Sequence, residues 1–111
     1  MNQPELIAAE VEKRQYRCAK LIVQVQCVAL NREILAATRD VSVGGMFLNE
    51  RDPFPAHSIV KLSFRLSPGG AQMTCTGEVA YAMKGVGMGV MFKGLPEDVR
   101  AAIEQFVAEA S

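Results

Sequence analysis

Tryptophan is absent from this 111-residue sequence, histidine occurs once, and aromatic residues make up only 6%. A stacking surface for single-stranded nucleic acid needs several rings along a basic groove, so that class of binding is poorly supplied. Charge of one sign is equally lacking. Twelve Lys and Arg balance twelve Asp and Glu, which leaves no global field to draw nucleic acid, an anionic membrane or an acidic partner. No apolar run approaches the roughly 20 residues of a membrane span, and the opening MNQPELIAAEVEKR is acidic and amphipathic rather than signal-like. The three cysteines, Cys18, Cys27 and Cys75, are odd in number and lack metal-ligand spacing. They read as small buried hydrophobes in a reducing compartment, so a cytoplasmic protein without membrane insertion is expected. The one histidine, His57, lies in a Pro-Ala-His-Ser turn, the carboxylates are scattered, and no phosphate-loop pattern occurs. Neither catalysis nor a metal or cofactor is expected.

What the chain does contain is a core. Half of its residues are hydrophobic, enough for one globular domain of this length. From Leu21 to Leu30, Leu21, Val23, Val25, Cys27 and Ala29 fall on one face, with Gln24 and Gln26 on the other. This period of two marks a half-buried strand. It returns at Ser58–Leu66, where Val60, Leu62, Phe64 and Leu66 oppose Lys61, Ser63 and Arg65. It returns again at Gln72–Met83, with Met73, Cys75, Val79, Tyr81 and Met83 on one face. Ile34–Arg39, Gly45–Asn49 and Gly85–Lys93 are shorter candidates. Turn signals separate them at Asn31-Arg32, Asp52-Pro53, Ser67-Pro68-Gly69-Gly70 and Lys84-Gly85. About six short strands with tight connections predict a mainly β fold, an antiparallel barrel closed so that no edge is exposed.

One helix is expected over about residues 96–110. Pro96 opens it, Glu97 and Asp98 fill its first turn, and Val99, Ala102, Ile103, Phe106, Val107 and Ala110 form a helical stripe. Pro4–Lys13 carries a weaker stripe, compatible with a second short helix. In GVGMGVMF, Val86, Met88, Val90 and Phe92 share one face while Gly85, Gly87 and Gly89 leave the other bare. Alternate glycines in a strand imply close approach by something else, and the C-terminal helix lying flat on that face is the expected cover. The methionines at 46, 73, 83, 88 and 91 are expected mostly on core faces.

Two polar clusters remain. Lys13, Arg14, Arg17 and Lys20 precede the first strand. Asp40, Ser42, Gly44 and Gly45 interrupt the apolar run ATRDVSVGGMFLN. Taken singly, the first is a solvated basic arm and the second a turn. Together they place an arginine-bearing segment before the first strand, D-x-S-x-x-G about twenty residues on, then a short barrel and a terminal helix.

In that combination the chain resembles the PilZ domain family, bacterial receptors for the second messenger cyclic di-GMP. The resemblance runs from about Glu12 to Phe106. It includes Gly-Met-Phe-Leu after the loop and G-x-G-x-x-F at Gly87, Gly89 and Phe92. It implies a small antiparallel six-stranded barrel of the split type with a C-terminal helix. Residues 1–17 would be an arm carrying the basic motif, and residues 18–111 the barrel with its helix. The loop motif matches at Asp40, Ser42 and Gly45. The family's R-x-x-x-R, counted back from Arg17, meets Lys13, with Arg14 one position later.

The resemblance implies a ligand site of Lys13, Arg14, Arg17, Asp40, Ser42, Gly44 and Gly45, with cyclic di-GMP as ligand and a motility, pilus or biofilm protein as regulated partner. The chemistry agrees. Arginine pairs with guanine edges and phosphates in bidentate fashion and stacks on purines. Asp40 suits the guanine N–H donors, and Ser42 can donate to phosphate or to guanine N7. Gly44 and Gly45 would admit positive φ and bring backbone N–H groups to an anion. The alternative is a nucleotide-independent adaptor of the same fold that acts through protein contacts.

Overall fold

The computed structural model describes residues 19–67 and 69–110. Seven strands precede one helix: β1 Ala19–Lys20, β2 Gln24–Ala29, β3 Arg32–Val41, β4 Gly45–Asn49, β5 Ile59–Phe64, β6 Met73–Met83, β7 Gly87–Lys93 and α1 Glu97–Ala110. All pairings are antiparallel, in the order β1-β3-β2-β5-β6-β7-β4, and β4 returns to pair with β3. Six strands therefore form a closed ring, and β1 adds a two-residue seventh piece at the far end of β3. Closure removes the unpaired edges that an open sheet of this size would present.

The alternations of the sequence become the two faces of this ring. Val25, Cys27, Val60, Leu62, Phe64, Cys75, Val79, Met88 and Val90 point inward and are buried. Each fully buried aliphatic or aromatic side chain contributes about 1.5–3 kcal/mol relative to exposure. The β2–β3 hairpin turns on Leu30 and Asn31, whose φ values of 52° and 61° are those of a two-residue turn with both central residues left-handed. The turn thus falls one residue before the Asn31-Arg32 pair, and Arg32 opens β3. The β6–β7 turn is at the expected Lys84-Gly85, with Gly85 at φ 84°. Phe54, from the long β4–β5 connection, is fully buried in the core, and the Arg32 guanidinium covers its ring at 4.8 Å.

Helix α1 begins one residue later than its sequence signal. The Pro96 carbonyl accepts the Arg100 N–H at 2.9 Å, so Pro96 caps the helix and Glu97 is its first residue. Val99, Ile103 and Val107 are buried, with Ala102 and Phe106 half-buried beside them. This spacing of four is one helical stripe, and it seats α1 against β1 and β6.

Three expectations need correction. The glycine face of β7 is not covered by α1. A Cβ on Gly89 would lie 2.3 Å from the Tyr81 ring, and one on Gly87 2.8 Å from the Phe47 ring. Aromatic side chains of the neighbouring strands lie over the bare backbone instead. Tyr81 and Met83 do not share the inner face with Cys75 and Val79; they are 49% and 43% exposed. The β6–β7 register shifts between Val79 and Tyr81, and a bulge of one residue turns every later side chain to the other face. For the same reason of facing, Met83 and Met91 lie on the outside, whereas Met46 and Met88 are core. The segment Pro4–Lys13 lies outside the described residues.

Candidate ligand-binding site

The D-x-S-x-x-G stretch forms the end of β3, a tight turn and the start of β4. Ser42 N–H donates to the Gly45 carbonyl at 2.8 Å, and Gly45 N–H returns a bond to the Ser42 carbonyl at 3.3 Å. Val43 and Gly44 are the two loop residues between them. The Ser42 hydroxyl accepts the Gly44 N–H at 3.1 Å, and the side chain is nearly buried, at 9% exposure. Ser42 thus rigidifies the turn from within, and both glycine N–H groups are engaged inside it.

Neither Gly44 nor Gly45 has positive φ, so the glycine requirement arises differently from the sequence expectation. At Gly45 a Cβ would sit 2.0 Å from the Val90 carbonyl oxygen. Only glycine lets β4 start this close to β7. The Gly44 carbonyl accepts the Phe92 N–H at 2.9 Å, which fixes the turn to β7 as well.

Asp40 is the outward-facing polar group of the motif. It stands opposite Phe47 on β4 and opposite Lys20 on β1, with its side chain 41% exposed. The β3–β4 register shifts between Thr38 and Asp40. Because of this bulge, Arg39 and Asp40 both reach the outer surface, while Thr38 and Val41 on either side of them are buried. Arg39 Nε lies 3.6 Å from Asp40 Oδ2, and the Arg39 guanidinium sits 4.0 Å above the Phe47 ring. Phe47 is only 4% exposed although Met46 and Leu48 on either side of it point into the barrel. It is buried on the outside, beneath Arg39 and beside Tyr81, whose ring centroid is 6.3 Å away.

Thr38 ties this strand to the chain ahead of it. Its hydroxyl donates to the Leu21 carbonyl and accepts the Val23 N–H at 3.0 Å, and its own N–H bonds the Val23 carbonyl at 2.9 Å. Residues 21–23 lie outside regular strand, so the strand expected from Leu21 begins only at Gln24, and Lys20, expected to precede the first strand, lies in the short extra strand β1. A buried threonine supplies the partners that the interrupted ladder lacks.

Of the expected site residues, the structure brings Asp40, Ser42, Gly44 and Gly45 into one corner of the barrel. Lys13, Arg14 and Arg17 lie outside the described residues. Lys20 is the described basic residue nearest in sequence to that segment, and it stands opposite Asp40 in the β1–β3 ladder. Arg39, Phe47 and Thr38 escaped the sequence reading. The arginine directly before the motif was the available signal for Arg39, but alternation alone would turn it away from Asp40.

His57 is where its turn placed it, exposed, at φ 77°. Its Nδ1 lies 3.4 Å from Glu78 Oε2, and Lys93 Nζ lies 3.3 Å from Glu78 Oε1. Hydrogen bonds from His57 and Lys93 hold the Glu78 carboxyl below its ordinary range. Cys27 and Cys75 are free, buried thiols. Burial, aided by the nearby Glu50 charge, pushes Cys27 up to about 12, and burial pushes Cys75 up to about 11, which leaves both unreactive. Among the described residues, no group of three or more His, Cys, Asp or Glu could hold a metal ion. No helix among them is long and apolar enough to cross a membrane.

Comparison with known proteins agrees with this geometry. A family model described as the PilZ domain matches residues 12–109. No curated protein matches. Among solved structures, the chain is similar to that of the Bacillus subtilis inhibitor of motility (MotI/DgrA), at a TM-score of 0.76 and 20% identity. The match covers 87% of this chain and 50% of that one, so the chain spans about half the length of that protein. At this identity the likeness speaks for the fold.

Proposed function

Since the chain belongs to the PilZ domain family, we propose that it is a non-enzymatic receptor for cyclic di-GMP that controls a partner protein by ordering its N-terminal arm. One observation carries the reading. The half-exposed Asp40 carboxylate stands opposite Lys20 on β1, and Arg17 is only three residues further back. Three residues of chain reach at most about 10 Å, which leaves a basic residue at position 17 within reach of the acidic motif. Arg17 and Lys13 or Arg14 would then take the phosphates and purine faces, and Asp40 the guanine N–H edge. Ser42, Gly44 and Gly45 would shape the wall that holds Asp40 in place. Ordering an arm costs conformational entropy, which the charge-assisted contacts must exceed. The likeness to an inhibitor of motility supports a motility protein as the regulated partner, in the cytoplasm.

The adaptor reading is favoured by a separate observation. Lysine stands at the first arginine position of the basic motif, and Tyr81, Met83, Val86 and Met91 are 40–50% exposed on or beside β6 and β7. A protein that binds no nucleotide would use such a surface for contact. Calorimetric titration with cyclic di-GMP separates the two. Saturable binding supports the receptor, and its absence in folded protein overturns it and leaves the adaptor.

A further inference from the structure

The receptor reading leaves one feature of the outer surface without a role. On a regular strand Arg39 and Asp40 would point to opposite faces. The bulge at the end of β3 brings both to the outside, where bulges commonly re-aim a side chain. The Arg39 guanidinium then meets two restraints. Its Cζ lies over the Phe47 ring, 4.0 Å from the centroid, and its Nε lies 3.6 Å from the Asp40 carboxylate. The side chain nonetheless stays 57% exposed, so more than half of it is open to solvent.

The ring beneath it is held in turn. Phe47 is 4% exposed, rests against Gly87 and neighbours Tyr81. A Cβ at Gly87 would meet the Leu48 carbonyl oxygen at 2.2 Å and that ring at 2.8 Å, so this glycine makes room both for β4 and for the ring.

Resting on the receptor reading, we propose that Arg39 is a further purine-stacking residue of this site, beside those of the arm. One guanine of the cyclic dinucleotide lies on the exposed side of a guanidinium already seated on Phe47, and Asp40 beside it takes the N–H edge of a base. A planar cation between two π-systems is favourable on both faces. Two restraints on Arg39 reduce the side-chain ordering that binding would otherwise require.

The test is a titration of cyclic di-GMP into wild type, Arg39→Lys and Arg39→Ala, each compared by thermal unfolding. Arg39 is half exposed, so both variants fold. Lysine keeps the charge and removes the plane. Arg39→Lys should therefore bind about fivefold more weakly, and Arg39→Ala about tenfold or more. The spectroscopic companion is the near-ultraviolet circular dichroism induced in bound guanine, read without tryptophan because the chain has none. At saturating ligand that band should shrink in Arg39→Lys, which a merely structural role would leave unchanged. Binding by Arg39→Lys equal to wild type, with the band intact, overturns the stacking role and leaves a charge alone. Tighter binding by Arg39→Ala also overturns it, since Arg39 would then be competing with ligand for Asp40. A wild type that does not bind overturns the receptor reading, and the Arg39 assignment with it. A wild type that binds alongside two unaffected variants overturns only the latter.

Discussion

Replacing Thr38 by valine tests how the barrel holds the base of the arm. The two side chains are nearly the same shape, but the hydroxyl serves both the Leu21 carbonyl and the Val23 N–H. Thr38 is 2% exposed, so water cannot replace it. A buried polar group left without its partner costs about 1–3 kcal/mol. The Leu21 carbonyl should cost near the middle of that range, and the part-buried Val23 N–H nearer its lower end. A methyl group placed against the Leu21 oxygen adds crowding, whereas the Thr38 N–H to Val23 bond survives. The sum is about 2–4 kcal/mol, against a total stability of about 5–15 kcal/mol for a domain. Thr38→Val should therefore fold and lose about 10 °C in Tm. Urea unfolding at constant m-value measures the loss, and amide exchange at Lys20, Ile22 and Val23 locates it. Thr38→Ser keeps the hydroxyl, loses one methyl and should fall short by only about 1 kcal/mol. Equal stability of Thr38→Val and wild type, or a serine variant as damaged as the valine one, refutes the reasoning.

The remaining predictions concern the site and the core. Asp40→Ala should lower the preference for cyclic di-GMP over cyclic di-AMP, whereas Ser42→Ala should mainly lower affinity; equal loss toward both nucleotides in Asp40→Ala would deny Asp40 the guanine edge. Lys13→Arg should strengthen binding about fivefold, the lower part of what a good bidentate guanine contact supplies. A neutral Lys13→Arg together with a costly Arg14→Ala would place Arg14 in that position instead. Stability should fall as pH rises above about 9. The unfolded thiols then ionise, while Cys27 and Cys75, raised to about 12 and 11, stay protonated in the fold. Their contribution is whole below the unfolded value and is lost on the way up to the folded ones. Chemical unfolding at pH 8 and pH 10 with Cys27→Ala as reference checks this, and an unchanged pH slope in that variant would contradict it.

Strands whose inner face repeats without interruption were legible from sequence. Val60, Leu62 and Phe64, or Val25, Cys27 and Ala29, announce both the strand and its buried side. Legibility ended at the bulges. Nothing in the order Val79-Ala80-Tyr81 shows that the partner strand will be short by one residue, so Tyr81 and Met83 were assigned to the wrong face. The alternation likewise carried the first strand back to Leu21, whereas β2 begins at Gln24 and a separate β1 lies before it. At the candidate site, the turn was readable, since Asp, Ser and Gly are turn residues. Their division of labour was not. That Ser42 is used inside the turn, and that Gly45 answers to the Val90 carbonyl, depends on a strand half the chain away.

Strand β3 is held by β2 along its first part, by β4 and β1 along its last, and at its centre by the Thr38 hydroxyl. Asp40 therefore sits on an anvil rather than on a hinge. In the receptor reading a ligand arriving there would meet a carboxylate whose backbone is fixed at the seam where the ring of strands closes. In that reading the expected mechanical output lies in chain outside the ring. Labels meant to report a response are best attached upstream of Lys20, and a label within the barrel would serve as the fixed reference.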